Sequence, residues 1–473
     1  VKSLSITPGV INPGEDIGQR ESVRVTFEDH PHSDAGLDKY LADRDYDPFE
    51  RGTFWGKMRA RLFSFEAYPF RLRRGTYGQD LADMTVYHYV IDAVTGQGET
   101  VNLVAKDPLI LSDKKKAQAP EISNGVLASD IDDITTSASL SPAGIGDAEY
   151  PASGLIAIGG KEICAFTRSG DSLTLTRAQS GTEAEEHDEG DRVQLVLEYV
   201  SQSPAAIIND LLTNYTPGID SSWIDLADWQ SEVDEYIDRL YSAQIAEPTP
   251  VVDLLNELIQ QVGLVFWWSP VSQQIRLQSL RPVTDAARLF TEDHIIERTF
   301  KATEQPQKRI SEVWTYYGLR NPLEPLDEPS NYKAAIATVD PEASLDYENP
   351  AIKKIFSRWI TSENRGAASR LNALLLSRYR NAPRKFSFDL FGNGTAPTLG
   401  SGFRLQTWSL QDDTGAAAEV PAQFISIEVR DDRYVTDAQE SIFADQDDLE
   451  DVRLIFIDAD TFNVNLRTLH DSI

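Results

Sequence analysis

Cysteine is almost absent from this chain: its 473 residues contain one, Cys164. A single cysteine excludes a disulfide within the chain and a metal site built from several cysteines. Cys164 lies in the apolar run 163–166 (ICAF). A reactive thiol needs a basic and open setting, so this run predicts a buried position in a strand.

Basic residues are scarce. The chain has 44 Lys and Arg against 75 Asp and Glu, a formal net charge of −31. A general nucleic-acid binder needs a basic surface to neutralise phosphates, and docking on anionic lipid needs one too. The composition therefore argues against both classes. It favours solubility, and it would suit the wall of a channel along which DNA slides without sticking.

Long apolar runs and familiar catalytic motifs are also missing. No stretch approaches the ~18 apolar residues of a membrane-spanning helix, and neither H-E-x-x-H nor G-x-S-x-G occurs. The start of the chain lacks the features of a signal peptide and lacks Met, so we expect residues upstream of it. Segment 154–162 (GLIAIGGKE) approaches a phosphate-binding loop, but Gly160 displaces the required Lys and Glu162 follows in place of a hydroxyl. Gly159-Gly160 instead predicts a hairpin turn.

Alternating apolar and polar residues predict a mainly β protein with some helix, an α+β chain of several domains. Residues 1–118 and 301–473 are expected to form two β domains. Residues 119–200 read as a small β insertion of short strands, and residues 201–300 as a helical or mixed connecting domain. A loop rich in Pro, Asp and Glu is expected over 321–350.

Four helices are expected from apolar residues at helical spacing. They lie near 207–215, at 221–240 with an acidic surface, at 251–262 ending on Gly263, and at 365–380.

Histidines and tryptophans offer weak candidates for sites. His30 and His32 could share a metal with Asp29 or Asp34, but a polar loop is the preferred interpretation. His187 lies among acidic residues and reads as part of a solvated turn. The tryptophans that an aromatic platform could use are expected to pack in the core; they are Trp223, Trp229, Trp267 and Trp268.

The best candidate contact surface is segment 52–80, where basic and aromatic side chains alternate in an otherwise acidic chain. Arginine with aromatic residues is the composition of anchors at protein interfaces, although it can also stack on single-stranded nucleic acid, and core-filling amphipathic strands are the plain alternative. The interface candidates are Trp55, Arg59, Arg61, Arg71, Arg73 and Arg74. Interleaved with these arginines are the further aromatics Phe54, Phe63, Phe65, Tyr68 and Phe70.

Several phrases together resemble one protein family. They are 51–57 (RGTFWGK), 105–109 (AKDPL), 150–154 (YPASG), 175–182 (LTRAQSGT) and 252–258 (VDLLNEL). Their order and spacing are similar to those of the tail-tip (baseplate) hub proteins of bacteriophages with long non-contractile tails. The helix ending near Arg380, followed by a strand and a strand pair split at residues 413–415, resembles the tail-tube-like domains of such hubs.

The resemblance implies a structural virion protein of the tail tip, made in the bacterial host cytoplasm. It implies a homotrimer in which each subunit has two tail-tube-like β-barrels. Three copies would make a ring that joins the hexameric tube, or a distal tail protein, to a threefold tip fibre or spike. DNA would pass through its centre without specific binding, and the C-terminus of the tape-measure protein is a further possible partner.

No cofactor, metal ligand or catalytic residue is assigned. Some hub relatives bind an iron–sulfur cluster through several cysteines, a feature that Cys164 alone does not allow. The alternative function is that of a tail-tip enzyme that degrades peptidoglycan or surface polysaccharide. Such an enzyme would need a cleft with two opposed carboxylates beside an aromatic platform.

Overall fold

The computed structural model describes residues 1–62, 64–97, 99–340, 350–392, 396–443 and 453–458, and for residues 97 and 453–458 it describes the backbone alone. Phe63 and His470 lie outside the described residues. Strands outnumber helices throughout, which confirms the prediction of a mainly β chain with several β domains. Among the described residues, no helix combines the length and the apolar character needed to cross a membrane.

The first part of the chain is built on an open five-stranded antiparallel sheet. Its elements are β1 (Ser3–Thr7), β2 (Val10–Asn12), β3 (Asp16–Gln19), β4 (Ser22–Glu28), α1 (Phe54–Arg61), β5 (Pro69–Arg74), β6 (Thr85–Gln97), β7 (Thr100–Lys106) and β8 (Gln118–Ala119). The order in the sheet is β1-β4-β7-β6-β5. Val23, Val25, Leu103 and Ala105 are buried on one face, as their alternation predicts. Strands β2 and β3 form a separate hairpin.

A second β unit follows, whose sheet has the order β14-β11-β12-β13-β10-β9. Its elements are β9 (Val126–Leu127), β10 (Ser137–Ser141), α2 (Ile145–Glu149), β11 (Ser153–Ile158), β12 (Glu162–Ser169), β13 (Ser172–Gln179) and β14 (Val193–Leu195). Strands β11 and β12 pair from Ile158↔Glu162 outward. Gly159 and Gly160 turn between them with φ of 60° and 68°. A side chain is strained at such angles, so the predicted hairpin uses glycine where it is needed.

Helices and two strand pairs occupy the middle of the chain. Their bounds are β15 (Leu197–Gln202), α3 (Pro204–Asn214), α4 (Leu226–Tyr236), β16 (Tyr241–Ile245), β17 (Thr249–Pro250), α5 (Val251–Val262), β18 (Leu264–Ser269) and β19 (Gln274–Ser279). The largest apolar cluster gathers here, and α5 ends at Gly263 in the left-handed conformation, as predicted.

The last part contains two sheets and one long helix. Its elements are β20 (Leu289–Phe290), β21 (Lys301–Glu304), β22 (Glu312–Leu319), β23 (Tyr332–Val339), β24 (Ile352–Phe356), α6 (Arg365–Tyr379), β25 (Arg384–Phe391), β26 (Gly402–Gln411), β27 (Ala417–Val429), β28 (Arg433–Glu440) and β29 (Arg453–Asp458). One sheet has the order β20-β26-β27-β28-β25-β21, and the other has the order β24-β22-β23-β29. Helix α6 packs on β22 and β23.

Contacts tie these parts together across the expected boundaries. The β2–β3 hairpin reaches the last part through the Ser426 hydroxyl, which donates to the Gly9 carbonyl at 2.8 Å, and it reaches α5 through Asn256. Strand β8 pairs with β17. The division of the chain at residues 118, 200 and 300 therefore stays a prediction.

Three local predictions are wrong. Residues 54–61 form a helix, where the plain interpretation of segment 52–80 expected strands; that interpretation is right only for β5. The loop expected over 321–350 contains strand β23, because its small residues Ala335 and Ala337 are buried between β22 and β29. The acidic helix is shorter than expected, since a short 3-10 turn at Ser221–Trp223 precedes α4.

Candidate protein–protein interface

Strand β5 forms one edge of the five-stranded sheet and carries three of the predicted interface arginines. Its residues alternate, so that Phe70 and Leu72 pack against the sheet core while Arg71 and Arg73 are exposed. Within the described part of the chain, β5 pairs with β6 alone. Its outer edge therefore presents backbone hydrogen-bonding groups beside two guanidinium groups, an arrangement that a strand or acidic surface of a partner could cover.

Exposed apolar side chains surround this edge. The exposed fraction is 52% for Tyr68, 109% for Tyr77 and 68% for Leu81. The Arg73 guanidinium donates to the Leu81 carbonyl, which holds the 75–84 loop against the strand. We call Arg71, Arg73, Tyr68, Tyr77 and Leu81 the β5 edge surface. Tyr77 and Leu81 were not predicted from the sequence, because isolated apolar residues in a polar loop give no periodic signal.

Helix α1 is held to the sheet by aromatic packing. Asp29 accepts from the Trp55 amide at 2.9 Å, and the Thr53 side chain caps the helix by accepting from the Gly56 amide. The Trp55 ring lies 5.0 Å from the Phe27 ring and packs on the core of the five-stranded sheet. Trp55 therefore packs helix α1 against the sheet, and its part in an interface stays a prediction.

The basic residues of α1 have different surroundings. Asp34 is buried, and it receives Lys57 Nζ at 3.0 Å and Arg61 Nη2 at 2.8 Å. Arg59 is exposed, with its guanidinium lying against Gly96. Arg61 therefore helps to hold the 32–38 loop, whereas Arg59 faces solvent.

Arg74, the inward-facing arginine of β5, connects the two ends of the chain. Its Nη1 donates to the Val429 carbonyl at 2.7 Å, and its Nη2 lies 3.7 Å from the exposed Asp431 carboxylate. Arg74 is therefore engaged within the molecule. Of the six predicted interface residues, Arg71 and Arg73 and then Arg59 are the most accessible to a partner.

A cavity of about 220 Å³ lies where the first sheet meets the β18–β19 hairpin and β27. Trp267 and Trp268 line it together with Glu21 and Asp107. Burial raises the pKa of the Glu21 carboxyl to about 7, although a hydrogen bond from Tyr89 lowers it and the nearby Asp107 raises it. Burial also raises the pKa of Asp107 to about 6.

The carboxylates of this cavity have structural partners. Asp107 accepts from the backbone amides of Glu21 and Leu109, both at 3.0 Å, and Glu21 Oε1 accepts from the Tyr89 hydroxyl at 2.8 Å. Two tryptophans also have core roles. Trp229 is buried and donates to the Ile275 carbonyl, and Trp268 donates to the His88 carbonyl.

A buried cluster of charged residues lies in the second β unit. Glu162, at the start of β12, accepts from Arg177 through Nη2 at 2.6 Å and Nε at 2.9 Å, and its Oε2 lies 3.1 Å from His187 Nε2. Burial raises the pKa of Glu162, but hydrogen bonds from Arg177, two backbone amides and His187 outweigh it and bring the pKa down to about 2. The prediction that His187 lies in a solvated turn is wrong: the residue is 2% exposed.

Cys164 is buried beside this cluster, as predicted, with its Sγ 3.4 Å from Glu162 Oε1. Burial, together with the neighbouring Glu162 charge, raises the thiol pKa to about 12. Segment 175–182, one of the phrases that resemble tail-tip hubs, contains Arg177. The ion pair between Arg177 and Glu162 therefore connects β13 to β12.

His30 and His32 lie beside α1. His32 Nδ1 accepts from the Asp34 amide at 2.9 Å, and the Asp29 carboxylate accepts from Thr53 and from backbone amides. The Asp29 carboxylate and one ring nitrogen of His32 are therefore engaged within the protein. In the described ranges, no group of three or more His, Cys, Asp and Glu side chains is arranged to hold a metal ion.

Comparison with known proteins gives structural matches only. No protein-family model matches the chain, and no curated protein does. The chain is similar to a 43 kDa tail protein of prophage MuSo2 from Shewanella oneidensis, with a TM-score of 0.40 and 10% identity over 92% of this chain and 97% of that one. It is similar to a tail protein from Neisseria meningitidis, with a TM-score of 0.40 and 10% identity over 94% and 96%. A prophage tail protein from Listeria monocytogenes follows, with a TM-score of 0.32 and 9% identity over 79% and 86%. These scores are too low to support a function, so any function must be argued from the residues of this chain.

Proposed function

We propose that this chain is a structural protein of a bacteriophage tail, the hub of the tail tip, and acts by assembly with no catalytic step. Three copies form a ring that joins the tail tube to a threefold fibre or spike and surrounds the path of DNA. The five phrases that resemble tail-tip hubs support this proposal, as does the mainly β architecture with a sheet near each end of the chain.

The observation that carries the proposal is the open edge at β5. A sheet edge with unpaired backbone groups favours pairing with another chain unless something covers it. Here the edge also carries Arg71 and Arg73 and is flanked by Tyr68, Tyr77 and Leu81, the residue types of interface anchors. A neighbouring copy with an excess of acidic residues would complement it, and such contacts between different faces form a ring when the rotation between copies closes.

The charge of the chain agrees with a DNA passage. With 75 acidic against 44 basic residues, the surface repels phosphates on average, so DNA would leave without binding. The β5 edge surface is one of the local exceptions, and we propose that contacts between subunits remove it from the lumen.

A second candidate function remains the tail-tip enzyme. The observation that favours it is the cavity with Glu21, Asp107 and two tryptophans. Asp107 is a poor candidate for a catalytic acid or base, because both of its carboxylate oxygens accept backbone amides. Zymography on purified cell walls tests this alternative: clearing by the wild-type chain that is lost in Glu21→Gln would favour the enzyme over the hub.

The test of the hub proposal combines native mass spectrometry with imaging. We expect the wild-type chain to be a trimer, and we expect Arg71→Glu with Arg73→Glu to shift it to monomer. The control is Lys115→Glu with Lys116→Glu, an equal change of charge at two exposed lysines away from β5. Electron microscopy of tails decorated with antibody against the chain should place it on the tail axis at the tip. A position off the axis would overturn the proposal.

A further inference from the structure

A groove of about 690 Å³ lies where the β2–β3 hairpin, α5 and the start of β24 meet. Gln260 of α5 and Tyr379 of α6 form part of its wall. The groove is distinguished by its charge, since four basic residues line it against two carboxylates, Glu15 and Asp16. The basic residues are Lys308, Arg309, Lys353 and Lys354. In a chain of net charge −31, this is a local reversal of sign.

The two lysines of β24 differ from Lys308 in their ion pairing within the described ranges. Lys308 Nζ forms an ion pair with Glu15 at 2.8 Å, and Asp16 accepts from Asn12 and from the Gly18 amide. In the described ranges, no carboxylate lies within ion-pair distance of Lys353 or Lys354. A ligand with negative charge would supply the missing partners.

Lys353 is half-buried in the groove wall. Burial lowers the pKa of its ammonium group; Glu15 acts in the opposite direction, and the charge of Lys308 lowers the pKa further. A lysine that only served solubility would extend into water, where its charge is stabilised. An ammonium group kept in a partly desolvated wall is instead placed to gain from an arriving carboxylate.

Both lysines belong to an edge strand. Strand β24 pairs in parallel with β22, at Val313↔Lys353, and lies at the end of its sheet. Lysines on an edge oppose unwanted strand pairing. They leave the groove open to an acidic surface that need not be a strand.

We propose that this groove binds the acidic loop 183–189 of a second copy of the chain. The loop presents five exposed carboxylates, namely Glu183, Glu185, Glu186, Asp188 and Glu189. It is fixed to the second β unit by buried His187 and by the Glu189 amide, which donates to Asp130 at 2.7 Å. The contact joins two different faces, the type of contact that forms a ring when the rotation between copies closes. It rests on the proposed assembly of several copies.

A charge swap tests this contact. Lys353→Glu with Lys354→Glu, and separately Glu185→Lys with Glu186→Lys, should each weaken self-association about tenfold or more in sedimentation velocity at low salt. In an equimolar mixture of the two variants, both kinds of contact between unlike variants pair opposite charges, so association should recover, with one repulsive contact between like variants left in a ring of three. A chain that carries all four changes should recover the wild-type oligomer. Lys115→Glu with Lys116→Glu is the matched control. Circular dichroism and thermal unfolding establish that each variant is folded.

The outcomes separate this contact from the hub proposal. If the wild type forms a trimer and the Lys353 and Lys354 variant forms it equally well, the contact is wrong and the hub proposal stands. If that variant loses association but the fourfold variant does not regain it, loop 183–189 is not the partner. If the wild type is monomeric under all conditions, including within purified tails, the assembly on which both proposals rest is overturned.

Discussion

The Arg177 guanidinium binds the Glu162 carboxylate at two points, with Nη2 2.6 Å from Oε2 and Nε 2.9 Å from Oε1. The side chain of Glu162 is fully buried, and that of Arg177 nearly so. An ion pair taken out of water is stable only when further hydrogen bonds complete it. Here the Ala178 and Glu185 amides and the His187 ring complete the hydrogen bonding of the Glu162 carboxylate. We therefore expect the stability of the second β unit to depend on this ion pair.

We predict that Glu162→Gln destabilises the second β unit by about 3 to 5 kcal/mol at neutral pH, because it leaves the Arg177 charge buried without its partner. Folding lowers the pKa of Glu162 from 4.5 to about 2. Its contribution to the free energy of unfolding is therefore complete above about pH 4.5 and is lost as the pH falls toward about 2. Urea unfolding at several pH values measures both effects. The exposed Glu186→Gln should change neither, and a Glu162→Gln chain as stable as the wild type at pH 7 would contradict the prediction.

Cys164 provides a reporter for the same unit. Because burial and the Glu162 charge raise its pKa to about 12, we expect almost no reaction with a thiol reagent at pH 8 while the chain is folded. In Glu162→Gln the rate should rise with the population of the opened unit, about tenfold for each 1.4 kcal/mol of lost stability when opening is fast. Rapid labelling of the native wild type would show that the thiol is accessible.

The half-buried Glu21 should change the stability of the chain with pH in the opposite direction. Its folded pKa is raised from 4.5 to about 7, so the stability linked to its protonated form is present below about 4.5 and is lost as the pH rises through about 7. The pKa of Asp107 is raised from 3.8 to about 6, so Asp107 adds to this trend over a lower pH range. We expect Glu21→Gln to be about 1 to 2 kcal/mol more stable than the wild type at pH 8, with a smaller difference at pH 5.

Thermal unfolding at the two pH values checks the Glu21 prediction. Glu28→Gln, an exposed change on the same sheet, is the control. A difference between Glu21→Gln and the wild type that does not change with pH would mean that Glu21 does not titrate in this range.

Asn372 on α6 provides a test of the second sheet of the last part. Its Oδ1 accepts from the Thr315 hydroxyl at 2.6 Å, while its Nδ2 lies within reach of the Thr338 hydroxyl at 2.9 Å and of two backbone carbonyls. Asn372→Ala leaves these buried groups without partners, and we predict a loss of about 2 to 4 kcal/mol in the free energy of unfolding.

Chemical unfolding measures the effect of Asn372→Ala. The control is Ala373→Ser, a change at the exposed next position of α6, which should alter the stability little. An Asn372→Ala chain that unfolds at the same denaturant concentration as the control would show that these hydrogen bonds do not hold α6 to its sheet.

Local patterns predicted much of the fold because the physics of these elements is local. The apolar residues of α5 repeat at helical spacing, and Gly263 then ends the helix where φ is 78°. The alternation in β4 and β7 likewise identifies the buried face of the first sheet. Strand β23 was missed because its flanks read as a polar loop, and only its partners β22 and β29 make it a strand.

The candidate interface was predictable in composition but not in geometry. Arginine and aromatic residues in segment 52–80 pointed to a contact surface, yet the pattern did not separate Arg71, which faces outward, from Arg74, which binds the Val429 carbonyl. The residues Tyr77 and Leu81 gave no signal. Which side of an edge strand faces solvent depends on the whole sheet.

The sequence by itself determined the properties that sum over residues or repeat along them: the acidic charge, the single thiol, the β-rich pattern and the ends of the main helices. The tertiary structure alone decided that His187, in an acidic and outwardly polar run, is buried against Glu162, 25 residues away. It also decided that Lys353 lies in a groove with Lys308. Both outcomes depend on contacts between segments that are distant along the chain, whose free energy no local pattern records.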